Sequence, residues 1–156
     1  MARLDLVNPA NVPGEWYVDT RCIDCDACRQ IAGDVFADDA GLSIVIAQPD
    51  PDDEQAAWRA SLACPTQSIG TRTLHRRPPP GLFPQELHDG VFYCGYNHED
   101  SFGANAFFAV RPEGGVLVDS PRWNRRLADS IASLGGIRHV LLTHQDDVAD
   151  AQGWAE

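Results

Sequence analysis

Three cysteines recur at every third residue, Cys22, Cys25 and Cys28, and a fourth, Cys64, stands far downstream directly before Pro65. No other feature constrains the chain so tightly. Thiols at this spacing wrap three corners of one small object only if the segment runs as a loop of tight turns. The fourth corner must come from elsewhere, so the fold has to bring residue 64 back to residues 22–28. Small or polar residues, Asp24 and Ala27 among them, stand between the thiols and let the backbone approach.

Thiolates in such a set hold an iron–sulfur cluster, with three close ligands and one remote. Other uses of the same thiols stay open. A structural zinc takes four cysteines, usually as two separate Cys-x-x-Cys knuckles. Disulfides are disfavoured by the crowding of three cysteines and by a reducing compartment. Plain buried cysteines rarely come in threes at this spacing. The fifth cysteine, Cys94, sits among Phe92, Tyr93 and Tyr96 in a strand-like run and reads as a buried structural residue.

The 156 residues carry a net charge of −11, and every basic residue is Arg. Without Lys, a P-loop lysine or a lysine Schiff base is impossible. The acidity argues against nucleic acid and anionic membrane as partners. It suits a redox protein that docks on a basic surface of its partner. Residues 1–14 hold no apolar stretch resembling a signal peptide, and nothing approaches a transmembrane span, so the expected location is cytoplasmic.

A run of three prolines and a glycine, Pro78-Pro79-Pro80-Gly81, divides the chain. The expected organisation is a first domain over 1–74, a linker over 75–87 and a second segment over 88–156. The first domain reads β-α-β-α-β. Strands are expected at 15–19, 42–46 and 68–72 and helices at 29–36 and from Asp50-Pro51 to Cys64-Pro65, where proline disfavours helix in the residue before it. The second segment reads β-β-β-α-β. Its strands are expected at 91–94, 106–110, 116–118 and 138–142, with a helix from Ser120-Pro121 that Gly135-Gly136 ends.

With its triple-cysteine run, remote Cys64-Pro65 and acidic β-α-β surroundings, the first domain resembles a bacterial-type single-cluster ferredoxin. The resemblance implies one 4Fe-4S cluster ligated by Cys22, Cys25, Cys28 and Cys64, because the second cysteine of the run is present and only one run exists. The nearby Asp24, Asp26 and Asp34 should disfavour an added electron, which points to a low potential.

Residues 88–156 resemble the beginning of a metallo-β-lactamase-fold domain. The resemblance rests on Gly103-Ala104-Asn105-Ala106-Phe107-Phe108, Gly114-Gly115-Val116-Leu117-Val118-Asp119-Ser120 and Leu141-Leu142-Thr143-His144. In that family a strand ending in Thr-His opens a His-x-His-x-Asp-His metal motif. Only His144 matches; Asp146, Val148 and Ala149 stand at the other three positions. The resemblance points to a zinc or iron at His144, and although the motif's further histidines are missing, Asp146, Asp147 and Asp150 of the same run could supply oxygen ligands.

The expected fold class is therefore α+β: a ferredoxin-like cluster domain followed by an incomplete α/β sandwich. The leading reading is an electron carrier without bond chemistry on a substrate. One alternative is the front part of a metal-dependent hydrolase with an accessory ferredoxin domain. Another is a degenerate module that docks the ferredoxin on its redox partner. Uncovered strand edges in a partial sandwich leave room for self-association.

Overall fold

A computed structural model describes residues 1–73, 75–146 and 148–156. The chain forms two compact units, Met1–Leu82 and Phe83–Glu156.

The first unit runs β1 (Trp16–Val18), α1 (Ala27–Ile31), β2 (Phe36–Asp39), β3 (Leu42–Val45), α2 (Glu54–Ala63) and β4 (Ile69–Thr71), after a single 3-10 turn at Leu4–Leu6. β1 pairs antiparallel with β4, and β2 pairs antiparallel with β3. The order is thus β-α-β-β-α-β, one strand more than the sequence pattern suggests. That pattern continued α1 to Phe36. The helix instead closes at Ala32, whose φ of −144° and ψ of 62° lie outside the helical region, and Phe36 opens β2. Ala40 and Gly41 then turn the chain with φ of +52° and +81°. Positive φ at both positions is what a two-residue hairpin needs, and glycine supplies the second at no steric cost.

Helix α2 is announced by Asp50, whose carboxylate accepts from the N–H groups of Asp52 and Asp53 at 2.8 and 3.0 Å. Residues 51–53 remain a turn, and the regular helix starts at Glu54. It ends with Cys64 at ψ 117°, the extended geometry that Pro65 demands of its predecessor. The helix buries Ala57, Trp58, Ala60 and Ala63. Trp58 meets Trp16 of β1 edge-on, with ring centroids 4.6 Å apart. Such a pair contributes about 0.5–1.5 kcal/mol beyond the area it buries. Val18, Val35, Phe36, Val45 and Ile69 complete this core, and Cys28 and Cys64 are part of it.

The expected linker, 75–87, divides between the units. On the first, Arg76 pairs with Glu54 and stacks over Trp58, and Leu82 is buried in the core. On the second, Gln85–His88 forms a strand, β5.

The second unit continues with β6 (Val91–Tyr93), β7 (Phe107–Ala109), β8 (Gly115–Val118), α3 (Arg125–Ser133), β9 (Ile137–Leu141) and α4 (Ala151–Ala155). One sheet has the order β5-β6-β7-β8-β9, antiparallel except for the parallel pair β8–β9 that α3 connects. β5 escapes the hydrophobic pattern because it is largely exposed; the Asp89-Gly90 turn, with both φ positive, specifies it. α3 is capped by Asn124, whose side chain accepts from the N–H groups of Arg126 and Leu127, four residues beyond the expected Ser120-Pro121 start. Leu127 and Ile131 are buried, and Phe108 and Leu117 lie at the centre of this unit's core. α4 is tied down by Trp154, whose indole N–H donates to the carbonyl of Pro121 at 2.8 Å. Among the described residues no helix is long and apolar enough to cross a membrane.

Candidate metal centre

The cysteine run follows β1 as a loop bent by two left-handed residues, Asp24 at φ +57° and Asp26 at φ +66°. Aspartate tolerates that region better than most residues. The bends hand the chain to α1, which buries Cys28 in its first turn. Cys64 arrives from the C-terminus of α2. All four cysteines line one small cavity, whose apolar wall is Val18, Ile23 and Ile69.

Two of the sulfurs, those of Cys22 and Cys64, meet backbone donors. Cys22 Sγ accepts from the N–H of Asp24 at 3.5 Å and of Ser43 at 3.4 Å. Cys64 accepts from the N–H of Ser68 at 3.3 Å. Hydrogen bonds aimed at sulfur stabilise thiolate and tune whatever the thiolates hold. Burial pushes the Cys28 thiol up to about 12, partly opposed by the Ser43 hydroxyl, and raises the Cys25 thiol too. Metal ligation needs thiolate, so loading the site displaces protons from these buried groups.

Charge around the loop is organised by Arg29 of α1. It pairs with Asp24 at 2.9 Å, Asp38 at 3.1 Å and Asp26. Two of the three acids expected to depress the potential are therefore tied to one cation. Neither Arg29 nor Ser43 stands out in the sequence. Each is found only once the β2–β3 hairpin brings residues 38 and 43 against the loop.

Among the described residues, no three or more His, Cys, Asp or Glu groups are placed to hold a metal ion. The four cysteines line one cavity. In the second unit, His144 and Asp146 are exposed in the loop after β9. His144 Nδ1 lies 3.0 Å from the Thr143 hydroxyl, and Thr143 is held by the Asp119 carboxylate. Asp147, the third expected ligand there, lies outside the described residues. A zinc or iron at His144 has no support from this geometry. Cys94 is fully buried, and burial pushes its thiol up to about 12.

Four cysteines lining one cavity of a small α+β unit are the donor set that a four-cysteine iron–sulfur centre uses. Residues 18–71, which contain all four cysteines, match the family described as the 4Fe-4S single cluster domain of Ferredoxin I. The first unit thus contains a stretch that matches a ferredoxin-type 4Fe-4S domain, and that match supports an iron–sulfur cluster. No curated protein and no solved structure matches the chain. The family match stops short of the second unit, and nothing in the comparisons supports its likeness to the metallo-β-lactamase fold.

Proposed function

We propose that the first unit is a one-electron carrier in which Cys22, Cys25, Cys28 and Cys64 hold a single 4Fe-4S cluster. One observation carries this: four cysteines line one cavity inside a stretch that matches the single-cluster family. The residues present fit the group. Their thiols supply four soft ligands, the backbone N–H groups offset the charge of the thiolates, and Val18, Ile23 and Ile69 keep water away. When bound, the cluster takes up and releases single electrons without bond chemistry on a substrate.

The chain's own residues set the terms of that exchange. Ser43 and Ser68 orient donors on the sulfurs, and Arg29 offsets the carboxylates of the loop. The net charge of −11 suits a redox partner with a basic docking surface. The test is reduction of anaerobically purified protein followed by low-temperature electron paramagnetic resonance. A one-electron signal of a reduced 4Fe-4S cluster is expected, and it should be lost in the Cys64→Ser variant if Cys64 is a required ligand. Redox-silent protein that carries zinc in place of iron would defeat the reading.

A further inference from the structure

The turn after Cys64 holds one residue in a conformation that its type rarely takes. Cys64-Pro65-Thr66-Gln67 is a β-turn closed by the Gln67 N–H, which donates to the Cys64 carbonyl at 3.2 Å. Proline at the second position suits such a turn. Gln67 then takes a φ of +53°. That left-handed region favours glycine, asparagine and aspartate, and other residues enter it seldom. The next N–H, that of Ser68, turns back onto Cys64 Sγ at 3.3 Å.

Ser68 is fixed on its other side too. Its carbonyl accepts from the Asp19 N–H at 2.8 Å, next to the pairing of Ile69 with Val18. With that carbonyl held, the direction of the Ser68 N–H follows from the dihedrals of Gln67. An extended or right-handed Gln67 would swing the N–H off the sulfur. Gln67 is exposed, whereas residues 63–66, 68 and 69 are buried. Its side-chain Oε1 accepts from the Met1 amino group at 3.0 Å, and its carbonyl accepts from Arg21 Nη2 at 3.4 Å. A substitution at Gln67 therefore empties no core and reaches Cys64 through the backbone.

A donor on a ligand sulfur stabilises the reduced cluster, which carries the extra negative charge, and raises its potential. We propose that Gln67 is a positioning residue whose left-handed backbone aims the Ser68 N–H at the Cys64 sulfur and so raises the potential of the cluster. The proposal rests on the cluster assignment above. Gln67→Gly and Gln67→Val both lose the side-chain contact with Met1, so the difference between them isolates the backbone.

The experiment compares Gln67→Gly, Gln67→Asn and Gln67→Val with wild type in the loaded full chain. Voltammetry reads the potential, with iron and sulfide content measured on the same samples. Hydrogen exchange of the Ser68 amide, resolved by mass spectrometry, reads the hydrogen bond itself. Glycine and asparagine enter the left-handed region readily, and a β-branched residue does not. Gln67→Gly and Gln67→Asn keep the wild-type potential and slow Ser68 exchange. Gln67→Val lowers the potential and speeds that exchange several-fold; Gln67→Ala replaces it, with a smaller shift of the same sign, if Gln67→Val does not load. A loaded Gln67→Val or Gln67→Ala protein with the wild-type potential overturns the proposal. So does a fall in Gln67→Gly as large as that in Gln67→Val, which would trace the effect to the lost side chain. A Ser68 amide that exchanges freely in loaded wild type overturns it without any variant. A wild-type protein without iron and sulfide overturns the cluster assignment and this inference together, whereas a loaded wild type with any of the other contrary results overturns this inference alone.

Discussion

The backbone N–H of Ser43 points at Cys22 Sγ over 3.4 Å, while the hydroxyl of the same serine opposes the upward push of burial on the Cys28 thiol. A residue of strand β3, fully buried, thus serves two of the four thiols. Ser43→Ala removes the hydroxyl and keeps the N–H. The potential of the loaded protein should fall by roughly 40 mV, taking a net loss of about 1 kcal/mol for one hydrogen bond in a one-electron couple. Voltammetry reads the shift directly.

Arg29→Gln should also lower the potential, for a different reason. It removes the cation that pairs with Asp24, Asp26 and Asp38 beside the cysteine loop. This effect is electrostatic at a partly exposed site, so salt should shrink it. Voltammetry of both proteins at low and high ionic strength checks the claim. A shift in Arg29→Gln that salt leaves untouched would point to rearranged ligands and not to lost charge.

Asp19 should make the stability of the first unit depend on acid pH. Its folded carboxyl is held below the ordinary value of about 4. A depressed folded value contributes stability that is present above about pH 4 and lost as the pH falls through the folded value. Asp19→Asn should be less stable than wild type at pH 7, by about 1–3 kcal/mol for the weakened buried acceptor. That gap should narrow below pH 4. Denaturant unfolding of both proteins from pH 7 to pH 3 measures it; a gap of constant size would argue that Asp19 acts by shape alone.

Trp58→Ala should destabilise the first unit by about 3–5 kcal/mol, the usual range for emptying a large buried aromatic site. Trp58 loses its edge contact with Trp16 and its stacking under Arg76. Leu87→Ala on exposed β5 should change stability by less than about 0.5 kcal/mol. Thermal unfolding followed by tryptophan fluorescence and by circular dichroism distinguishes the two.

The four cysteines, the strands around them and the end of α2 at Cys64 are legible in the sequence because each rests on a local rule: ligand spacing, β-branched runs, a proline stop. The second hairpin was hidden. Phe36 fits the apolar stripe of a helix as well as the start of a strand, and the helix breaks at Ala32 with no proline there to announce it. β5 was hidden because Gln85–His88 carries no apolar alternation, although Asp89-Gly90 marked its turn. Around the site, the cysteines could be read, but their partners could not. Ser43, Arg29, Asp19 and Ser68 are ordinary residue types at ordinary positions, and only tertiary pairing sets them against the thiols. The His144 reading depended on a motif matched at a single position, and the exposed loop there brings no second ligand to it among the described residues.

The central claim is tested most directly by the metal and sulfide content of the full chain after anaerobic purification and reconstitution. A single 4Fe-4S cluster predicts about four iron and about four acid-labile sulfide per chain. Replacing any one of Cys22, Cys25, Cys28 or Cys64 by serine should lower or destabilise that content, and replacing Cys94 should leave it intact. One zinc per chain with no acid-labile sulfide would contradict the account.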